Sequence, residues 1–241
     1  MTESRKLGII AGRGALPRRL ALACVDRGSG YVIIALRGHC EQVAVDGLDH
    51  AWVELGAIGA TLKHLNAESC RDVVMAGPIS RPSFSSMQLD WRGALLLPKL
   101  LTAKGDDAVL SILVGEFEKE GFGVVGIDDV LGDLKPPTGA LGQHRPDDRQ
   151  RADIARGVEV ARALGGLDVG QAVVVQQGFV LGVEAAEGTD GLLGRCRSLH
   201  REGPGGVLVK IAKPAQERRT DLPTIGADTV AAAAAAGLAG I

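Results

Sequence analysis

The stretch KLGIIAGRGALPRRLALACVDRG, residues 6–28, decides the fold. Leu7 to Ala11 form a short apolar run, the signature of a strand buried on both faces. Gly12 and Gly14 then let the backbone turn tightly. Pro17 fits the first turn of a helix, where its missing N–H costs nothing. The apolar spacing of LPRRLALACVD predicts an amphipathic helix that stops at Gly28. A buried strand, a glycine turn and a helix make the first half of a βαβ unit, and a buried strand of this kind belongs to a parallel sheet.

The same alternation continues outward. YVIIAL (31–36), AWVEL (51–55), DVVMAG (72–77) and FGVVGID (122–128) read as strands. IGATLKHLNAESC (58–70) and DAVLSILVGEFEKEG (107–121) read as helices. Residues 132–150, GDLKPPTGALGQHRPDDRQ, break the rhythm with three prolines and three glycines and mark a connection. Beyond it, RADIARGVEVARAL (151–164) is helical. AVVVQQGFVLGVEA (172–185) is two apolar runs around Gln176-Gln177-Gly178, an antiparallel hairpin. TDGLLGRCRSLH is a helix with Thr189 or Asp190 as its expected N-cap. GVLVKIAKP is a strand, and ADTVAAAAAAG is an alanine-rich helix of high intrinsic propensity. LAGI (238–241) looks like the start of another strand, so an α/β domain is expected to continue past it. The expected architecture is α/β with two α/β domains: an N-terminal Rossmann-like domain with a mostly parallel sheet over 1–131, a linker over 132–150, and a C-terminal mixed α/β domain over 151–241.

The bulk composition narrows the function. Hydrophobic residues make up 46% and charged residues 23% of 241 residues, a globular balance. With 3% aromatics there is little for base-stacking platforms, and a formal net charge of −2 gives no general pull toward nucleic acid or an anionic membrane. Any anion site is local. Cys24, Cys40, Cys70 and Cys196 have no metal-ligand spacing and read as small buried hydrophobes in a reducing cytoplasm. No export signal is visible, and no run approaches the roughly 20 apolar residues of a membrane helix.

Local anion sites are available. Gly12 and Gly14 at the start of a helix suit a phosphate, although Pro17 replaces the third glycine of a dinucleotide fingerprint and the second strand ends at Leu36-Arg37 rather than at an acid. An ordinary strand-to-helix turn explains the loop equally well. Arg81 in AGPISRP (76–82) follows another strand, as a phosphate contact or a solvated arginine. Asp106 and Asp107 in KGDDAVL (104–110) precede a helix, as caps or as substrate contacts.

Two later stretches carry more chemistry. GVEAAEGTDG (182–191) spaces Glu184, Glu187 and Asp190 three residues apart at a strand-to-helix junction. Carboxylates that converge there need a cation, and Mg²⁺ with substrate phosphate oxygens is the natural partner; a helix cap with two solvated glutamates is the competing reading. KPAQERRTDLPTIG (213–226) gathers Lys213, Gln216, Arg218, Arg219 and Asp221 ahead of Pro223 and Gly226. Its cations suit phosphate charge and Asp221 suits a metal or an attacking water.

Taken together, GIIAGRGALP, AGPISRP, KGDDAVL, VEAAEGTDGLL and KPAQERRTDLPTIGADTV resemble the LpxI-type UDP-2,3-diacylglucosamine pyrophosphatases over nearly the whole chain. The resemblance implies a cytoplasmic, Mg²⁺-dependent hydrolase of lipid A biosynthesis, peripheral at most at the inner membrane, that splits an acylated UDP-glucosamine into UMP and a diacylglucosamine 1-phosphate. It maps the essential aspartate onto Asp221. It places Glu187, Asp190 and Asp221 as metal ligands, and Gly12, Gly14, Arg81, Asp106, Asp107, Lys213, Gln216 and Arg219 around the substrate. It implies members that run some tens of residues further, and it leaves assembly open, a homodimer included. A non-catalytic nucleotide-sugar or lipid-binding module is the alternative; an NAD-dependent oxidoreductase rests on Gly12 and Gly14 alone.

Overall fold

The computed structural model describes residues 5–79, 87–103, 105–132, 136–214, 219 and 222–241. The chain divides into two compact units: Met1–Lys135 with Glu217–Thr220, and Pro136–Gln216 with Asp221–Ile241.

In the first unit, strands β1 (Leu7–Ala11), β2 (Tyr31–Leu36), β3 (His50–Val53), β4 (Asp72–Ala76) and β5 (Gly123–Val124) form a five-stranded sheet in the order β3-β2-β1-β4-β5. Its pairings are parallel. Alternate residues of the strands feed two cores. Ile10, Val32, Ile34, Val73 and Met75 pack with Leu62 and Leu65 of α3 (Ile58–Ala67) and with Val114 and Phe117 of α5 (Asp106–Lys119). Ile9, Ala11, Ile33, Ala35 and Val74 pack on the other side with Leu20, Ala21 and Cys24 of α1 (Leu16–Asp26), Ala44 and Val45 of α2 (Gln42–Val45), and partly buried Ile127 and Val130 of α6 (Ile127–Leu131). Each fully buried Ile or Val contributes about 1.5–3 kcal/mol. Two-sided burial is why these strands read as continuous apolar runs.

Two local expectations change. The run FGVVGID stays extended only through Gly123–Val124, because Gly126 N–H donates to Asp129 Oδ2 at 2.8 Å and starts α6. Helix α4 (Trp91–Thr102) has no counterpart in the sequence reading: Pro98 inside it disguises the pattern, while Asp90 caps it through Gly93 N–H at 2.8 Å.

In the second unit, β6 (Ala172–Gln176) is central in a three-stranded antiparallel sheet of order β7-β6-β8, with β7 (Phe179–Val183) and β8 (Val207–Lys210) at its sides. Helix α7 (Asp148–Gly166) covers one face through Val160, Ala161 and Leu164 against Val173 and Val175. Helices α8 (Gly188–Cys196) and α9 (Ala227–Ala235) cover the other, where Leu192, Leu193, Cys196 and Ala233 meet Ala172, Val174 and Leu208. The α7 helix begins three residues ahead of its expected start, because Asp147 and Gln150 form a reciprocal capping box. The hairpin turns at Gln177 (φ 54°) and Gly178 (φ 78°), the two left-handed positions of a tight two-residue turn. The terminal residues reach β8 through one parallel bridge, Val207 to Gly240.

Both units are thus α/β, the first with a parallel sheet and the second with a separate antiparallel one. All four cysteines are buried and unpaired. Among the described residues no helix is long and apolar enough to cross a membrane.

Candidate functional site

The glycine loop lies where the sheet order reverses, between β1 and β4, at the carboxyl ends of the strands. In doubly wound sheets this is where a crevice opens. Here two loops clasp each other. Gly12 N–H donates to Ala76 O at 2.8 Å and Arg13 N–H to Pro78 O at 3.1 Å. A Cβ on Gly12 would lie 2.5 Å from Gly77 O, and one on Gly77 would lie 2.3 Å from Arg13 O. Gly77 also needs its φ of +88°. The first glycine therefore serves backbone packing. The Gly14 N–H, expected to face a phosphate, donates to Glu41 Oε2 at 3.1 Å, so a carboxylate of the chain itself holds that position. Near Arg13 of the same loop stands His39, whose Nδ1 is buried without a hydrogen-bond partner among the described residues. Burial first, and the nearby Arg13 second, push its pKa below the usual histidine value.

Asp106 and Asp107 occupy the first turn of α5, directly behind the N-cap Gly105. Their negative charges still favour the positive end of the helix dipole.

The acidic turn in the second unit joins β7 to α8. Its three carboxylates take separate roles. Glu184 is buried: Oε2 accepts from Gln171 N–H at 3.0 Å and Oε1 from Thr189 Oγ1–H at 2.6 Å. Glu187 is the N-cap residue of α8 and pairs with Arg195 at 2.5 Å, while Arg195 also donates to Val183 O at 2.8 Å. Its own backbone N–H and then the Arg195 guanidinium lower the Glu187 pKa. Asp190 lies exposed in the first turn. The expected cap at Thr189 or Asp190 gives way to Glu187, because the Thr189 hydroxyl is drawn to the buried Glu184 carboxylate.

Lys210, at the end of β8, extends this cluster. Its Nζ donates to Thr189 Oγ1 at 2.9 Å and to Thr224 O at 3.0 Å. One ammonium thus ties the acidic turn to the segment that follows Asp221. Thr224 Oγ1–H closes on Leu222 O at 2.9 Å across Pro223.

The remaining expected site residues divide three ways. Lys213 is nearly buried and paired with Asp168 at 2.5 Å; Arg219 donates to Glu118 at 2.7 Å within the first unit. Arg81, Gln216, Arg218 and Asp221 lie outside the described residues. Among the described residues no three His, Cys, Asp or Glu side chains come together as a metal site. Glu187 and Asp190 do not form one by themselves. Lys210 and the Gln171 amide are the contributors that sequence reasoning missed. The one signal was Lys210 itself, a charge closing the buried run Val207-Leu208-Val209.

The class defined by this architecture is a two-unit α/β protein with a doubly wound sheet and a separate unit in which an acidic turn is laced to a proline-containing loop. Sequence models of known families place it further. That of the LpxI N-terminal domain matches residues 6–134 and that of the LpxI C-terminal domain matches 137–241, so the chain belongs to the LpxI family. It is 46% identical to a Caulobacter vibrioides protein named UDP-2,3-diacylglucosamine pyrophosphatase LpxI, over 98% of this chain and 87% of that protein.

Proposed function

We propose that this protein hydrolyses the pyrophosphate of UDP-2,3-diacylglucosamine, yielding UMP and 2,3-diacylglucosamine 1-phosphate in lipid A biosynthesis, with Mg²⁺ as cofactor. The observation that carries the proposal is the near-full-length identity to the Caulobacter protein of that name. The lacing of the acidic turn to the Leu222–Thr224 segment supports it locally. Water adds its oxygen to one phosphorus, the bridging oxygen leaves with the other, and both products depart as phosphate monoesters.

In this reading Asp221 is the catalytic carboxylate. A bound Mg²⁺ supplies charge neutralisation at the pyrophosphate oxygens. Since the described carboxylates do not form a metal cluster, Asp221 is the donor the reading adds to Glu187 and Asp190. Glu187 becomes available by releasing Arg195, and Lys213 and Arg219 reach phosphate oxygens by exchanging Asp168 and Glu118. Arg81, Gln216, Asp106, Asp107 and the Gly12–Gly14 loop are proposed as further substrate contacts. The two acyl chains favour an encounter at the surface of the inner membrane from the cytoplasmic side.

The test is hydrolysis of UDP-2,3-diacylglucosamine by purified protein with Mg²⁺, with EDTA, and with Asp221→Ala. Turnover is expected with Mg²⁺ only. Removing one carboxylate from the transition-state machinery should lower kcat at least ~100-fold. Undiminished turnover in Asp221→Ala removes that residue from the reaction. Tight binding of the nucleotide-sugar without turnover at any divalent metal concentration would instead favour a binding module.

A further inference from the structure

We propose that the outward face of α4 docks the protein on a lipid bilayer with anionic headgroups; the choice of a bilayer rests in part on the pyrophosphatase reading above. Helix α4 packs against α3 and α5. Gly93 and Leu96 are buried on that side, and Leu97 and Leu100 are half-buried. An ordinary surface helix turns charged residues the other way. This one does not. Trp91, Ala94, Leu95, Pro98, Leu101 and Thr102 fall within one arc of about 120° around the helix axis. All six are exposed, Trp91 and Leu95 at 67% and Leu101 at 59%. None of the six carries a charge. Three large hydrophobics on one arc make a patch, unlike the single exposed residues that any surface carries.

The charge around the patch selects the occupant. The helix carries Arg92 and Lys99 and no acid. Asp90, just ahead of it, is engaged at two helix starts, accepting from Gly93 N–H at 2.8 Å and from Ala60 N–H at 3.0 Å. Glu120 pairs with Arg92, whose guanidinium carbon lies 5.1 Å from the centre of the Trp91 ring. Lys63 stands across a groove of about 420 Å³ beside Trp91, and Lys99 is exposed at the margin of the arc. An uncharged apolar strip with lysines at its edges suits an anionic bilayer, and tryptophan is a preferred residue at the bilayer surface. A second copy of the chain fits less well. A helix of 12 residues is about 18 Å long and 10 Å wide, so the strip offers roughly 200 Å², against about 800 Å² on each side of a stable interface. A bilayer needs no matching surface, and two acyl chains keep the substrate of the proposed reaction in one.

The test is co-sedimentation of the purified protein with vesicles, without substrate. The wild type should sediment with vesicles of phosphatidylethanolamine and phosphatidylglycerol, and at least ~10-fold more weakly with phosphatidylcholine alone. Leu95→Asp places a charge in the strip and should lower the partition coefficient at least ~10-fold. Should Leu95→Asp fail to fold, as judged by circular dichroism, Leu101→Asp carries the same expectation. A wild type that stays in solution with the anionic vesicles overturns the inference. So does equal sedimentation with phosphatidylcholine, and so does undiminished binding of a folded Asp variant. A wild type that is dimeric by analytical ultracentrifugation, with Leu95→Asp monomeric, also overturns it and makes the strip a contact between copies. No step of this test uses hydrolysis. An inert protein that still sediments brings down the pyrophosphatase reading and leaves the docking face standing. An active protein that stays in solution does the reverse.

Discussion

The two units hold their loops by different means. In the first, the loops after β1 and β4 are held by backbone against backbone, and glycines at positions 12 and 77 permit the approach. In the second, buried polar side chains do the holding. Asp153 at 5% exposure grips the hairpin turn, Gln176 at 0% grips the loop 201–204, and Glu184 at 7% grips the acidic turn. Thr61 is the buried polar residue of the first unit among those described. The difference follows from the sheets. A five-stranded parallel sheet satisfies its own backbone and can present short glycine turns at one edge. A three-stranded antiparallel sheet is small and must borrow side chains to fix its connections.

This contrast breaks first at Gly77. An alanine there meets both an unfavourable φ of +88° and a Cβ only 2.3 Å from Arg13 O. A left-handed alanine costs about 1–2 kcal/mol, and the backbone clash raises the loss to about 4 kcal/mol. Denaturant unfolding of Gly77→Ala, followed by a probe of the first unit, measures it. A loss below about 1 kcal/mol would mean that the two loops separate easily and that the clasp is not what holds them.

Asp153→Ala is the counterpart in the second unit and should cost less. The carboxylate accepts from Gln177 N–H at 2.9 Å and Gly178 N–H at 2.6 Å. Hydrogen bonds to a charged group contribute about 1.5–3 kcal/mol each, but both turn residues are exposed. Water then replaces part of the loss, so about 2–3 kcal/mol is expected. Gln177 is a non-glycine residue held at φ 54°, so Asp153→Ala should also speed hydrogen exchange in the turn. If exchange there is unchanged, the turn is fixed by its own sequence rather than by the buried carboxylate.

The same division explains what was legible in the sequence. Strands buried on both faces announce themselves as apolar runs, so β1, β2 and β4 and the hairpin could be read directly. Helix α4 could not, since Pro98 looks like a breaker, while the Asp90 cap and the burial of Gly93 and Leu96 are tertiary features. The candidate site was legible as stretches but not as contacts. Glu184 reads the same as Glu187 along the chain, yet one is buried and bonded and the other pairs with Arg195 at the surface. Lys210 escaped because its role depends on Thr189 and Thr224, 21 residues before it and 14 after it. Spacing does not encode such a meeting.

The smallest effect concerns the clasp itself and a histidine beside it. His39 Nδ1 is buried near the glycine loop without a partner among the described residues, and burial followed by Arg13 lowers its pKa in the folded state. Above the ordinary histidine value of about 6.5, His39 is neutral in both states and adds no pH dependence. As pH falls below that value, the unfolded chain takes up a proton that the folded chain refuses, so stability declines. The decline continues until pH passes the lowered folded value, where both states are protonated and the slope vanishes. His39→Gln removes this component, so its denaturation midpoint should fall less between pH 7 and pH 5 than that of the wild type. An identical slope in the two proteins would assign the acid sensitivity elsewhere.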